Sequence, residues 1–316
     1  MKNKKILGMG NAVLDVLISC DDEKLKELKL KKGLMTIVDQ SESDIILNSV
    51  DPVKKSSGGS VANSIAAIAY FGGSSGFCGR VKNDQLGLDF VSDIKQSGVN
   101  FLCEPKKDGP STARCLVFVT KDGERTMQTY LGASVNLSEE DILEDFFADT
   151  AMLFIEGYLW SSESARKAIK KAVGLAKKNK IKVIFSLSDA GLTKAFKDQF
   201  NVFISNDVDI LIGNNNEFFE LFGSKEHNKI SEISNKFCEI AVMTEGSSGA
   251  TMFQKGTITH SNSHKNLNII DTTGAGDIFA AGFLYKFSLG ESDIDSLDYG
   301  CEMASKILSQ FGARLQ

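Results

Sequence analysis

Along most of this chain, short apolar runs alternate with longer stretches in which apolar positions return every third or fourth residue. The runs at 6–9 and 13–19 read as strands, and 60–71 and 86–97 read as helices. Segments 113–120 and 126–131 flank "KDGE" (121–124), whose Asp-Gly turn predicts a hairpin. "LSEEDI" (137–142) predicts a helix start, with a capping-box spacing from Ser138 to Asp141. The second half is more regular. It reads as strand 151–158, helix 162–178, strand 181–187, helix 193–200, strand 208–214, helix 215–222 and strand 240–246. Strands near 250–260, a strand at 267–270, a helix from Gly276 and a last helix near 295–310 follow. Strands apolar on both sides, alternating with helices, predict an α/β fold: a doubly wound, mostly parallel sheet with helices on both faces. Its carboxyl edge is the expected ligand edge. Segments within about 12–40 and 110–132 differ. Their polar flanks and spacing suit antiparallel pairing and predict a small β lid inserted into one large domain.

Composition narrows the function classes. The 316 residues are 42% hydrophobic and 24% charged, enough apolar sequence for a sizeable core. A formal net charge of −5 argues against a nucleic-acid partner, and lysine blocks such as "KKAVGLAKKNK" read as solvated helix faces. The six cysteines form no CxxC, and the three histidines complete no zinc spacing. Buried free thiols in a reducing cytoplasm are the expectation. The first twenty residues end in a lipobox-like "LISC", but Asn11 and Asp15 interrupt the apolar run, so a strand is expected there rather than a signal peptide. No stretch approaches about 18 uninterrupted apolar residues, so no membrane span is expected.

Chemistry concentrates in "NIIDTTGAGDIFAAGFLY" (268–285). A helix starting near Gly276 offers unpaired backbone N–H groups, and glycines let an anion approach them. Gly274, Ala275 and Gly276 can thus cradle a phosphoryl group. A carboxylate at that place, Asp277, suits a base that takes a proton from a hydroxyl nucleophile. A glycine-rich helix start with a dipole-favoured acid explains the stretch equally well on its own. A second glycine corner precedes another helix in "SSGGSVANSIAAIAYFGG" (56–73), with Ser60 and Asn63 on a polar face suited to a hydroxylated ligand.

Taken together, "DTTGAGDIFAAGF", "GGSVANS" followed by "FCGRVKNDQLG", "NNNE" (214–217) and "GNAVLD" (10–15) resemble the signatures of the ribokinase, or PfkB, family of ATP-dependent sugar and nucleoside kinases. They fall in the family's order and cover nearly the whole chain. "GGSVANS" and "GNAVLD" look most like adenosine kinases. Lys82 departs from the glycine many members carry, and of "EGYLW" only Tyr158 supplies an aromatic for a base.

The resemblance implies ATP, Mg²⁺ and a small-molecule acceptor. Asp15 and Asn63 would bind ribose hydroxyls, with Asn11, Gly59 and Ser60 beside them and Met127 and Tyr158 over the substrate. Asp277 would be the base and Gly274–Gly276 the anion cradle. Asn214, Thr244, Gly246, Gly249 and Thr272 would line the ATP site. Glu217 would hold Mg²⁺ through water, and Asp271 and Thr273 a monovalent cation such as K⁺. Arg125 reads as a lid residue reaching the phosphate or as a surface residue. A sugar kinase acting on ribose, fructose or a related sugar, and a non-catalytic ligand-binding paralogue, are the competing readings. A monomer or a lid-mediated homodimer is expected.

Overall fold

A computed structural model describes residues 4–263 and 269–315. Its strands are β1 (Lys5–Met9), β2 (Val13–Ser19), β3 (Met35–Ile37), β4 (Lys54–Gly58), β5 (Ser75–Cys78), β6 (Asn100–Phe101), β7 (Ala113–Val119), β8 (Arg125–Tyr130), β9 (Thr150–Glu156), β10 (Lys182–Ser186), β11 (Ile210–Asn214), β12 (Ile240–Thr244), β13 (Ala250–Gln254) and β14 (Thr257–Ser261). Among the described residues they form two sheets. The larger has nine strands in the order β14-β13-β12-β11-β10-β9-β1-β5-β6, and the smaller has five in the order β3-β8-β7-β2-β4.

The large sheet is parallel from β12 to β6, and β13 alone runs against the rest, so that its pairings with β12 and β14 are antiparallel. Its side chains alternate between two cores. Ile6, Phe154, Ile184, Ile212 and Val242 pack on one face with helices Ser60–Tyr70 and Ala275–Leu289. Leu7, Ile155, Phe185, Leu211 and Met243 pack on the other with helix Glu163–Lys178. This is the sandwiched arrangement that doubly apolar strands require. Strand order reverses at β1, which has β5 on one side and β9 on the other, so the β1/β9 crevice is the switch point where such sheets bind ligands.

The small sheet lies over this edge and departs from the expected pairing. β7–β8 is the predicted antiparallel hairpin, but β2–β7 and β3–β8 are parallel. Alternation reports which face a residue takes and not the direction of its partner, so the sequence pattern left direction open. β4 ("KKSSG") completes the sheet without any apolar alternation. Three further expectations are corrected. The helix predicted from 137 is a pair of 3-10 turns, Glu139–Asp141 and Glu144–Phe147, although the Ser138/Asp141 capping box is present. Helix 193–200 is two helices, Ala190–Ala195 and Lys197–Asp207. The strand at 267–270 lies partly outside the described residues, and Ile269 and Ile270 are not in a strand.

Candidate active site

The carboxyl ends of the central strands place a row of polar groups along one edge. Asn11 follows β1, and Glu156, Ser186, Asn214 and Thr244 end β9, β10, β11 and β12. Ser186, Asn214, Glu217 and Thr244 line one cleft of about 150 Å³ together with Ser60, Ser64, Gly276 and Asp277. A larger cavity of about 710 Å³ lies against Trp160, Val173 and Phe203, away from this edge. The small cleft matters for chemistry because it brings the two glycine corners together.

That convergence is direct. Ser60 Oγ donates to Asp277 Oδ1 at 2.6 Å, and Asn63 Nδ2 donates to Asp277 Oδ2 at 2.9 Å. Ser64 Oγ donates to the Asp277 carbonyl at 2.8 Å. The two residues expected on a sugar therefore hold the acid in this structure. Burial pushes the Asp277 carboxyl up to about 6, while these hydrogen bonds and the Arg314 charge pull it down. Gly274 caps the helix in the left-handed region (φ 78°), and a Cβ there would lie 2.5 Å from the Ala313 Cβ. A Cβ on Gly276 would meet only open space, so the glycine turn expected to cradle an anion faces a free volume.

Asp15 projects from β2 toward the same region. A Cβ on Gly58 would sit 2.4 Å from Asp15 Oδ2, so glycine there makes room for this carboxylate. Burial pushes Asp15 up to about 7. Arg314 and Arg125 pull it down, and Asp277 and Asp93 push it further up. Gly59 adopts φ 101°, and a Cβ would lie 2.2 Å from the Asn11 carbonyl oxygen. Met127 packs on the lid face with Val13, Ala113, Cys115 and Val117. Tyr158 is 41% exposed; burial and then the charges of Asp189, Glu156 and Asp277 hold its phenol well above the usual range.

On the side expected to take ATP, Asn214 and Glu217 form a reciprocal cap of helix Asn215–Phe222. Asn214 N donates to Glu217 Oε2 at 2.8 Å and Asn214 Nδ2 to Oε1 at 2.7 Å. Glu217 is buried yet lines the cleft, and burial pushes it up to about 7 against the Asn214 N–H. Both oxygens have a donor and each keeps a lone pair. The donor set fits a carboxylate that receives metal-bound waters, which is how Mg²⁺ is commonly held. Gly246 (φ 58°) stands in a 3-10 turn beside Thr244. Gly249 (φ 99°) has a packing reason instead: a Cβ there would lie 2.0 Å from the Ser261 carbonyl oxygen. Thr272 is exposed, and its carbonyl accepts from Ala275 N.

The expected monovalent-cation pair is already engaged. Arg125 Nη2 lies 3.0 Å from Asp271 Oδ2, and Arg125 Nη1 donates to Thr273 Oγ1 at 3.1 Å. Asp271 also accepts from Thr273 N and Gly312 N. A guanidinium satisfies this carboxylate, so K⁺ would have to displace it. Arg125, its side chain only 13% exposed, ties the lid to the glycine turn.

Two residues escaped the sequence reading. Arg314 donates to the Ser57 carbonyl at 2.6 and 3.2 Å, to Ser57 Oγ at 2.9 Å and to the Ala62 carbonyl at 3.2 Å. Its partners are neutral, so its charge acts on Asp15 and Asp277. Glu156 accepts from Asn11 and Val61. The signal for each was a charged residue inside or beside apolar sequence.

Comparison with known proteins agrees with this geometry. The profile of the pfkB family carbohydrate kinases matches residues 33–316. A 5-dehydro-2-deoxygluconokinase of Bacillus subtilis is 27% identical over 263 residues, covering 80% of this chain and 81% of its own. The solved adenosine kinase of Sinorhizobium meliloti is 33% identical with a TM-score of 0.88, covering 99% of this chain and 96% of its own. A probable sugar kinase of Rhizobium etli is 34% identical with the same TM-score and coverage. The chain belongs to the pfkB family of carbohydrate kinases and is a phosphotransferase with an alcohol group as acceptor.

Proposed function

We propose that this kinase transfers the γ-phosphoryl group of ATP to the 5′-hydroxyl of a nucleoside, adenosine foremost, giving AMP and ADP. The observation that carries the reaction is the Asp277 carboxylate, oriented by Ser60 and Asn63 at the open glycine start of a helix. A carboxyl with its pKa raised to about 6 is ionised at neutral pH and a stronger base than an exposed aspartate. It takes the hydroxyl proton while the Gly274–Gly276 backbone N–H groups stabilise charge on the phosphoryl group. Asp15 and Asn11 hold the acceptor's hydroxyls. Asn214, Thr244 and Gly246 border the ATP phosphates. Glu217 would hold Mg²⁺ through its waters, and bound Mg²⁺ neutralises phosphate charge. The lid closes the cleft against water, so the acceptor and not solvent is phosphorylated.

The lid supports a nucleoside over a bare sugar. Val13, Ala113, Cys115 and Val117, with Leu17 and Met127 beside them, form an apolar face on the same strand side as Asp15. A base needs such a face, and a sugar has little to place on it. A sugar kinase is the second reading, favoured by the 27–28% identity to 5-dehydro-2-deoxygluconokinases. ADP release measured against adenosine, other nucleosides, ribose, fructose and 5-dehydro-2-deoxygluconate decides between them. Turnover with adenosine at least tenfold above every sugar is expected. A sugar or sugar acid as best acceptor would replace the nucleoside assignment.

A further inference from the structure

Glu156 ends β9, is 1% exposed, and serves as neither base nor metal holder in the reaction above. Its three partners are all N–H donors: Asn11 Nδ2 at 3.0 Å, Asn11 N at 3.4 Å and Val61 N at 3.0 Å. The space is shaped for this carboxylate, because a Cβ on Gly10 would lie 2.5 Å from Glu156 Oε2. Burial pushes Glu156 up to about 7, and the Val61 and Asn11 N–H groups pull it back by favouring the carboxylate; a carboxylate only accepts, so the Asn11 amide turns its NH₂ toward it. Its carbonyl oxygen is then directed elsewhere. Asn11 is 7% exposed, and its Oδ1 is buried without a hydrogen-bond partner. An orphaned buried acceptor is unfavourable and is relieved by any donor that reaches it. Asn11 lies just past the carboxyl end of β1, packed against Gly59, in the short link that leads into β2 and Asp15.

We propose that Glu156 is a positioning residue that sets the polarity of the acceptor site. It locks Asn11 with Oδ1 presented to the acceptor, so a good acceptor must donate a hydroxyl or amino hydrogen there. Turned the other way, Asn11 would offer NH₂ and select the opposite chemistry. An acceptor without that donor leaves Oδ1 orphaned and is rejected. This role rests on the acceptor site proposed above. Glu156 also supplies the acceptor for Val61 N in a helix whose N-cap, Gly59, has no side chain to do so. A cap alone would affect stability and not acceptor binding.

The test measures acceptor KM, ATP KM, kcat and Tm for wild type, Glu156→Gln, Asn11→Ala and the double variant, with adenosine and ribose as acceptors. A glutamine keeps the volume but opposes an NH₂ to one of three N–H donors. Acceptor KM is expected to rise about tenfold in Glu156→Gln, with ATP KM and kcat within about threefold. The double variant is expected to be no worse than Asn11→Ala. An unchanged acceptor KM, full multiplication of the two effects, or parallel loss of both KM values, kcat and Tm would overturn the role. If Glu156→Gln does not fold, 2′- and 3′-deoxy acceptors carry the test. Asn11→Ala must then lose wild type's discrimination against one of them, and undiminished discrimination overturns the role. A wild type that releases no ADP with any acceptor overturns the proposed reaction itself, a different result from all of these.

Discussion

At the scale of single residues, the cleft is a balance between desolvated carboxylates and the guanidiniums of Arg314 and Arg125. Burial pushes Asp277 up to about 6 and Asp15 up to about 7, and Arg314 opposes both shifts. Removing that charge raises the pKa of each acid, so the base form of Asp277 is reached only at higher pH. Arg314→Gln should therefore shift the acidic limb of kcat/KM upward, losing more activity at pH 6 than at pH 8. Arg314→Lys should shift it less. A pH–rate profile that merely scales down would leave Arg314 with a packing role only. The same shifts act on stability. A carboxyl whose folded pKa exceeds its unfolded value binds protons more tightly when folded, so its protonated form favours the fold. Stability from these groups is present at about pH 4 and is lost as pH rises through 6 to 7. Asp277→Asn should flatten that fall and gain on the order of 1–2 kcal/mol at pH 8, read from urea unfolding at pH 5 and pH 8. An equal pH slope in the two proteins would mean that Asp277 is not shifted as described.

At the scale of elements, helix Ala275–Leu289 and helix Ser60–Tyr70 meet at their N-terminal turns, and glycine permits each approach. Gly58→Ala should drive a methyl against the Asp15 carboxylate and raise acceptor KM about tenfold or more, with ATP KM little changed; equal KM values would move Asp15 out of the site. The lid is tied to the glycine turn through Arg125, Asp271 and Thr273. Breaking that tie in Arg125→Ala should speed amide exchange in β8 and weaken acceptor binding. Unchanged exchange would show the lid held by its other contacts. These elements were unevenly legible in the sequence. The βα alternation and the glycine turn with Asp277 could be read because period and glycine are local signals. β4 could not, since "KKSSG" carries no apolar alternation. Nor could the parallel β2–β7 pairing, because direction depends on the chain between the strands.

At the scale of the whole molecule, the same limit explains the missed site residues. Glu156 meets Asn11 across 145 positions, and Arg314 meets Ser57 across 257. No local pattern announces such pairs, and only the assembled sheet, with the C-terminal tail returning to the glycine corners, brings them together. The two glycine corners could be singled out in the sequence, yet the contact between them could not: Ser60 and Asn63, expected on the acceptor, also hydrogen-bond Asp277. One arrangement thus unites the ends of five neighbouring strands, the lid and the tail around a single carboxylate. Steady-state ADP release by wild type and Asp277→Asn, with adenosine and ATP–Mg²⁺ at pH 7.5, tests this most directly. A folded variant with turnover reduced about 10²–10⁴-fold is predicted, and turnover near that of wild type would contradict the account.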